Sequence, residues 1–300
     1  MVQNLDDKHE GLEGVAQVPG TEEIYAVDNH LYGVPEALSS YIIAGESPAL
    51  VDCGAANTSG HIIDALDKLG IPTQEVEHMF VSHVHLDHAG GAGHLAEECT
   101  NANIYVHEKG LDYLTSEDKL NRLTQQAEKA IGIKGAYGNP SLVPQKRCTK
   151  ILDDDTIIEA GQHTFRLINS PGHAPHHYTI YDESTEVLFA IDAAGMRFDS
   201  EMLPTTPPPT FDLEKNLATL DRLRELHPQI NCYGHFGPGS PGKATDEIEE
   251  YSQLLPKYVK LIEDLADKCE NTEAIHDELD TQWLSPTTYR DIAGVLDYLD

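Results

Sequence analysis

In the segment HMFVSHVHLDHAGG (78–91), His83, His85, Asp87 and His88 crowd the end of an apolar run. Imidazole and carboxylate together suit zinc and other borderline first-row metals. Side chains at alternate positions leaving a strand can converge on one ion, and the adjacent Asp87 and His88 can turn toward a second. Gly90 and Gly91 predict a tight backbone turn beside them. The bland alternative is a set of polar residues in a solvated loop. With 16 histidines in the chain an isolated HxH pair is ordinary, but four metal-capable residues at one strand end are not.

Three further places repeat the pattern. SPGHAPHH (170–177) offers His173 after a Pro-Gly turn, FAIDAAG (189–195) presents Asp192, and NCYGHFGPG (231–239) presents His235 beside glycines. Each puts a metal-capable side chain at the end of a strand-like run, where loops build sites on a rigid scaffold. Singly, each reads equally well as a hydrogen-bonded or core residue; with the first cluster they complete a ligand set. His107 reads as structural, and His9, His30, His61, His78, His94, His163, His227 and His276 have no ligand context.

The elements that must position these residues are legible from β-branched and aromatic runs bounded by Gly, Pro and Ser. Strands are predicted over 22–27, 38–45, 48–54, 77–83, 103–107, 163–170, 176–182, 186–192 and 229–235. A helix over 60–69 carries Ile62, Leu66 and Leu69 on one face, with Ser59 as cap and Gly70 as stop. A short helix is predicted over 93–99, and an amphipathic one carries Leu213, Leu217, Leu220 and Leu223. Residues 111–141 are first polar and helix-prone, then glycine-rich, and read as a helical insertion or lid lying beside the site. From residue 243 the pattern is helical, with Pro256 expected to kink or split the first helix. The expected organisation is one domain over 1–242 and a helical extension over 243–300 packed on it. Its class is α/β, stacked sheets covered by helices.

The 51 acidic against 20 basic residues give a net charge of −31, spread along the chain. Such a surface disfavours nucleic acid, whose binding draws on Lys and Arg, and anionic membranes. It also suits a high-salt medium, where mobile ions screen self-repulsion. No apolar run reaches membrane-spanning length and the first residues lack a secretory pattern, so a cytoplasmic location is expected. The five cysteines are scattered without a CxxC pair, and Cys53 and Cys232 read as buried hydrophobes.

HVHLDHAGG (83–91) resembles the HxHxDH motif of the metallo-β-lactamase superfamily. PGHAPHH (171–177) is similar to its PGHTxGH segment, FAIDA (189–193) to its aspartate-bearing strand, YGH (233–235) to its closing histidine, and LVDCG (50–54) to its early strand. The resemblance runs in order from about residue 22 to 237. It implies a four-layer αβ/βα sandwich with metals at one edge of the stacked sheets. His83, His85 and His173 would bind one divalent ion, Asp87, His88 and His235 a second, and Asp192 would bridge them. Asp52 would orient a ligand histidine from behind, and His177 matches a position near the substrate. The family's glycine before that histidine is His176 here.

The implied activity is a binuclear metal-dependent hydrolase, with zinc as the expected metal and iron or manganese as alternatives. Two such ions make hydroxide from water at neutral pH and polarise a carbonyl. Asp87 would orient the nucleophile and help protonate the leaving group. No G-x-S-x-G elbow or P-loop offers another chemistry. A thioester, as in glyoxalase II-like enzymes, or an ester or lactone is the expected substrate. Phosphodiester hydrolysis is opposed by the net charge, and a mononuclear iron persulfide dioxygenase is the redox alternative. The basic residues with which glyoxalase II enzymes hold their thiol are not discernible in the acidic segment 243–300. The expected partner is a small molecule, with neither nucleic acid nor membrane; self-association into a homo-oligomer is left open.

Overall fold

A computed structural model describes residues 13–151, 154–198, 201–285 and 287–299. Residues 1–12, which include His9 and the segment read for a leader, lie outside it. The first sheet has seven strands in sequence order: β1 (Val15–Gln17), β2 (Ile24–Asp28), β3 (Ser39–Ile43), β4 (Ala49–Val51), β5 (His78–Val81), β6 (Asn103–His107) and β7 (Cys148–Ile151). Pairing is antiparallel from β1 to β4 and parallel from β4 to β7. The second sheet comprises β8 (Thr156–Ala160), β9 (His163–Asn169), β10 (Tyr178–Asp182), β11 (Val187–Phe189) and, beyond the hairpin β12 (Met196–Phe198)–β13 (Glu201–Leu203), β14 (Ile230–Cys232). An antiparallel meander runs from β8 to β11, and β14 pairs parallel to β11.

Period-two alternation assigns the faces. Tyr41, Ile43, Val51, Phe80 and Tyr105 point inward and meet Phe165, Leu167, Tyr178, Ile180 and Phe189 of the second sheet. The intervening Ile42, Leu50, Met79, Val81, Ile104 and Val106 face outward. They are covered by α1 (Gly60–Lys68), α3 (Ala92–Glu98) and α4 (Glu108–Thr115). Leu188 and Tyr181 on the outer face of the second sheet meet α6 (Leu213–Arg224), α7 (Ala244–Ala266) and α9 (Thr288–Leu299). The result is the four-layer αβ/βα sandwich with C-terminal helices. A four-residue helix, α2 (Leu86–Ala89), lies inside the ligand segment; α5 (Glu117–Ile131) touches both α2 and α9, and α8 (Thr272–Glu278) packs on α9. Among the described residues no helix is long and apolar enough to cross a membrane.

Several local expectations are corrected. Pro256 neither splits nor ends α7, which runs 23 residues through it. The ring removes one backbone bond at a cost of about 3 kcal/mol. Ile248, Tyr251 and Leu255 before it and Tyr258, Val259 and Ile262 after it are buried in one cluster, which outweighs that loss. Ser59 does not cap α1; its hydroxyl donates to the Ala56 carbonyl instead. Gly70 does close the helix, at φ +72°. Cys53 and Cys232 are buried in the core clusters.

His163, at the start of β9, contributes pH-dependent stability. Its Nδ1 lies 2.7 Å from Asp182 Oδ2 and its Nε2 lies 3.4 Å from Glu23 Oε2. The Asp182 hydrogen bond, against the opposing effect of burial, raises the imidazole above its ordinary range. A raised folded-state pKa stabilises fully below about pH 6.5, the unfolded value, and the gain disappears as pH rises through the folded value. His163→Gln therefore lowers the urea midpoint more at pH 6 than at pH 8.5; an equal loss at both would show that the pair does not titrate.

Candidate metal centre

Every candidate ligand follows the C-terminal end of a strand. β5 ends at Val81, so His83 and His85 lie just past it, and α2 carries Asp87 and His88. His173 lies in the turn between β9 and β10, Asp192 three residues past β11, and His235 three residues past β14. The tips are locked together, both across the sandwich and within the first sheet. Tyr178 N–H donates to Ser82 O (2.9 Å), Ser39 N–H to Gly234 O (2.7 Å), and Cys53 N–H to His88 O (2.7 Å).

Glycines permit the close approach. A Cβ on Gly91 would stand 2.2 Å from Cys53 O, and one on Gly90 2.3 Å from Leu86 O. Neither glycine has positive φ. What matters at this pair is the missing side chain, and the expectation of a special turn is corrected accordingly.

Two triplets of ligand atoms result: His83, His85 and His173, and Asp87, His88 and His235. Asp192 stands between them. Its Oδ1 lies 3.5 Å from His88 Nε2, and its Oδ2 lies 3.4 Å from His173 Nε2 and 3.8 Å from His235 Nε2. Asp87 Oδ2 lies 3.4 Å from His235 Nε2 and 3.8 Å from His88 Nε2. Donor atoms about 2.0–2.1 Å from a tetrahedral ion stand roughly 3.4 Å apart, so this spacing suits shared cations.

The tautomers agree. Nδ1 of His83, His88, His173 and His235 is engaged by Ser82 Oγ (3.0 Å), Asp52 Oδ2 (2.9 Å), Thr205 O (3.1 Å) and Ala37 O (2.8 Å), respectively. Each ring thus turns Nε2 into the centre, the usual arrangement of ligand histidines. Nε2 of His83, His88 and His235 and both oxygens of Asp192 are buried and lack a hydrogen-bond partner. Buried polar atoms without partners are costly, and a cation removes that cost. The residues therefore fit two divalent ions.

Asp52, His83 and His88 are also close enough to form a third triplet. However, the Asp52 oxygens already accept from Ser82 N–H (2.8 Å), Ser82 Oγ (2.9 Å) and His88 Nδ1. They hold the ring from behind and do not point at a cation.

Burial pushes His83 well below the ordinary imidazole range, and neighbouring imidazoles push it further. Burial alone would raise Asp192 and Asp87. The imidazoles of His88 and His235 outweigh it and hold both carboxyls well below the usual range, helped by His173 at Asp192 and by Arg290 at Asp87. The carboxylates are therefore ionised, ready to ligate.

His85 is the only one of the seven with appreciable exposure, so it marks the mouth. His177 is wholly buried. Its ring stacks on His83 at 4.9 Å, with neither nitrogen hydrogen-bonded. It therefore lies behind a ligand and away from any solvent-facing surface. His176 is buried as well, its Nδ1 accepting from Val84 N–H at 3.4 Å. His107 caps α4 and contacts Asn169 Oδ1 at 3.1 Å.

Sequence reasoning missed three groups around the mouth. Tyr32 donates to the Tyr137 hydroxyl at 3.0 Å, tying the β2–β3 connection to the glycine-rich segment. Burial, with Asp87 next, pushes Tyr32 up to about 12. Arg290 of α9 places Nη1 3.9 Å from Asp87 Oδ2. Its one sequence signal is that it is the sole arginine after Arg224.

The sequence profile of the metallo-beta-lactamase superfamily matches residues 33–235. A metallo-beta-lactamase fold-containing protein of Sulfurisphaera tokodaii is 33% identical over 233 residues, covering 74% of this chain and 80% of that protein. An N-acyl homoserine lactonase of Bacillus thuringiensis is 24% identical over 242 residues, covering 71% and 83%. The crystal structure of an archaeal superfamily protein from Sulfolobus tokodaii superposes with a TM-score of 0.70 at 24% identity, covering 92% of this chain and 99% of that one. With the profile spanning more than half of the chain and both ligand triplets assembled, the chain belongs to the metallo-beta-lactamase superfamily.

Proposed function

We propose that the protein is a binuclear metal-dependent hydrolase of carboxylic ester-like bonds: a thioester, ester or lactone. The observation that carries this reading is the pair of ligand triplets joined by Asp192. His83, His85 and His173 would hold one ion, Asp87, His88 and His235 the other, with zinc favoured by the imidazole-rich set. Bound there, the ions supply Lewis-acid polarisation and a nucleophile from water at neutral pH.

The chain's own part is positional. Asp87, held ionised, orients an attacking water, accepts its proton at a carboxylate oxygen and returns it to the leaving alkoxide or thiolate. The near-complete burial of the centre limits competing water. A narrow apolar crevice lined by Leu31, Val34, Met196 and Phe198 lies beside His235 and has room for a small alkyl group only. Similarity to a lactonase supports the lactone, and the −31 charge favours a small substrate over a nucleic acid.

The test is a panel of thioesters, lactones and phosphodiesters at low and at molar salt, before and after exhaustive chelation. Turnover of the carboxylic substrates, lost on chelation and restored by zinc, is expected. Turnover of phosphodiesters alone, or activity indifferent to chelation, contradicts the proposal.

A further inference from the structure

Arg290 is fixed relative to the centre by an unusually direct route. Thr205 Oγ1 donates to the Asp192 carbonyl (2.7 Å), and the Thr205 carbonyl contacts His173 Nδ1 (3.1 Å). The next residue grips α9: Thr206 N–H donates to Asp291 Oδ1 (3.0 Å), and Thr206 Oγ1 to the Asp291 carbonyl (2.8 Å). α9 approaches this loop so closely that a Cβ on Gly294 would stand 1.8 Å from Thr206 O. The residues that orient two ligands therefore also set the register of the helix bearing Arg290.

The guanidinium so placed is nine-tenths buried, yet its donors are almost unused. Nε has no partner, Nη2 reaches Asp291 Oδ1 only at 3.4 Å, and Nη1 stops 3.9 Å from Asp87 Oδ2, beyond hydrogen-bond distance. Asp291 is also shared with other donors. Its Oδ1 already accepts from Thr206 and its Oδ2 from Thr287 Oγ1 (2.7 Å). An arginine kept only to balance charge would form close, forked bonds. This one keeps Nε without an acceptor and Nη1 without a close one, beside a centre whose own carboxylates face histidines.

We infer that Arg290 is a specificity-determining residue that binds a second, ionised carboxylate on the substrate, a few bonds from the scissile carbonyl. This inference rests on the hydrolase reading and narrows it to acyl compounds with an anionic arm. A carboxylate matches the fork in shape, with two in-plane oxygens and a single charge. A dianionic phosphate would leave one charge uncompensated beside Asp291. The hydrogen-bonded Tyr32–Tyr137 pair lies near enough to both Asp87 and Arg290 to feel their charges.

Calorimetric titration of the zinc-loaded protein with glutarate and with butyrate tests this directly. Butyrate can engage only the metal centre, whereas glutarate can also reach the fork. The wild type is expected to bind glutarate about 10–100-fold tighter, the range for charge-assisted hydrogen bonds. Arg290→Gln should abolish that preference at unchanged zinc content, and Arg290→Lys should retain part of it. In parallel, Arg290→Gln should raise KM for a glutaryl thioester at least about tenfold more than KM for a butyryl thioester, while any loss of kcat that follows from its nearness to Asp87 is shared by the two substrates. Equal affinity of the wild type for the two acids, or a preference that survives in Arg290→Gln, overturns the inference. An intact glutarate preference without turnover of any carboxylic substrate would instead refute the hydrolase reading and leave the anion site standing.

Discussion

Asp87→Ala lowers kcat roughly 10²–10⁴-fold on whichever carboxylic substrate the wild type hydrolyses, the range for losing a positioned acid–base group. Asp87 Oδ2 stands 3.4 Å from His235 Nε2 and 3.8 Å from His88 Nε2, and the buried carboxyl is held ionised within the centre. On the proposed mechanism its removal takes away a ligand and a proton carrier together, so kcat falls far more than KM rises. Far-UV circular dichroism and metal content separate lost chemistry from lost fold. Asp87→Asn keeps the shape and one ligating oxygen but cannot carry the proton, so it should retain more metal than Asp87→Ala without recovering the rate. Equal turnover by Asp87→Ala and wild type would remove the mechanism.

Gly234→Ala should damage the centre without touching a ligand. A Cβ there would lie 2.6 Å from both Asp192 Oδ1 and His88 Cε1, and 2.9 Å from Ile191 Cγ2. None of these can yield freely. His88 is held by Asp52, and the Asp192 backbone by Thr205. Ligand positions tolerate shifts of only about 0.2 Å, and disturbing the groups that orient ligands typically weakens metal binding about 10–100-fold. Overpacking adds about 1–3 kcal/mol of destabilisation. Gly60→Ala, in α1 where an added Cβ meets nothing within 4 Å, is the control and should leave both metal affinity and stability intact. Comparable zinc affinity for Gly234→Ala and wild type, by competition with a chromogenic chelator, would show that the interlock is looser than these distances imply.

The parts of this centre that local sequence reveals are those that local structure positions. His83, His85, Asp87 and His88 share one strand end, so spacing marks them; His173, Asp192 and His235 each follow an apolar strand but gain meaning only beside that cluster and the family resemblance. The inward and outward faces of β3, β5 and β6 follow from alternation for the same reason. Edge strands were harder to discern. β1, β7 and β8 lie at the margins of their sheets, where half-exposed residues such as Thr149, Lys150 and Ile157 blur the pattern. Tyr32, Tyr137 and Arg290 left almost no trace, because they converge through tertiary packing of a turn, a glycine-rich segment and a C-terminal helix. The acidic character of 243–300 concealed that one of its few cations reaches Asp87. Pro256 was misleading because a proline's local cost says nothing about the burial of the helix around it.

The paired triplets joined by Asp192 make one numerical demand. Wild-type protein, saturated with zinc and dialysed against metal-free buffer, should retain two ions per chain by mass spectrometry of the digested sample, and Asp192→Ala should retain fewer than one. A wild type that keeps none, or an Asp192→Ala protein that still keeps two, would contradict the assignment of these side chains as a shared cage.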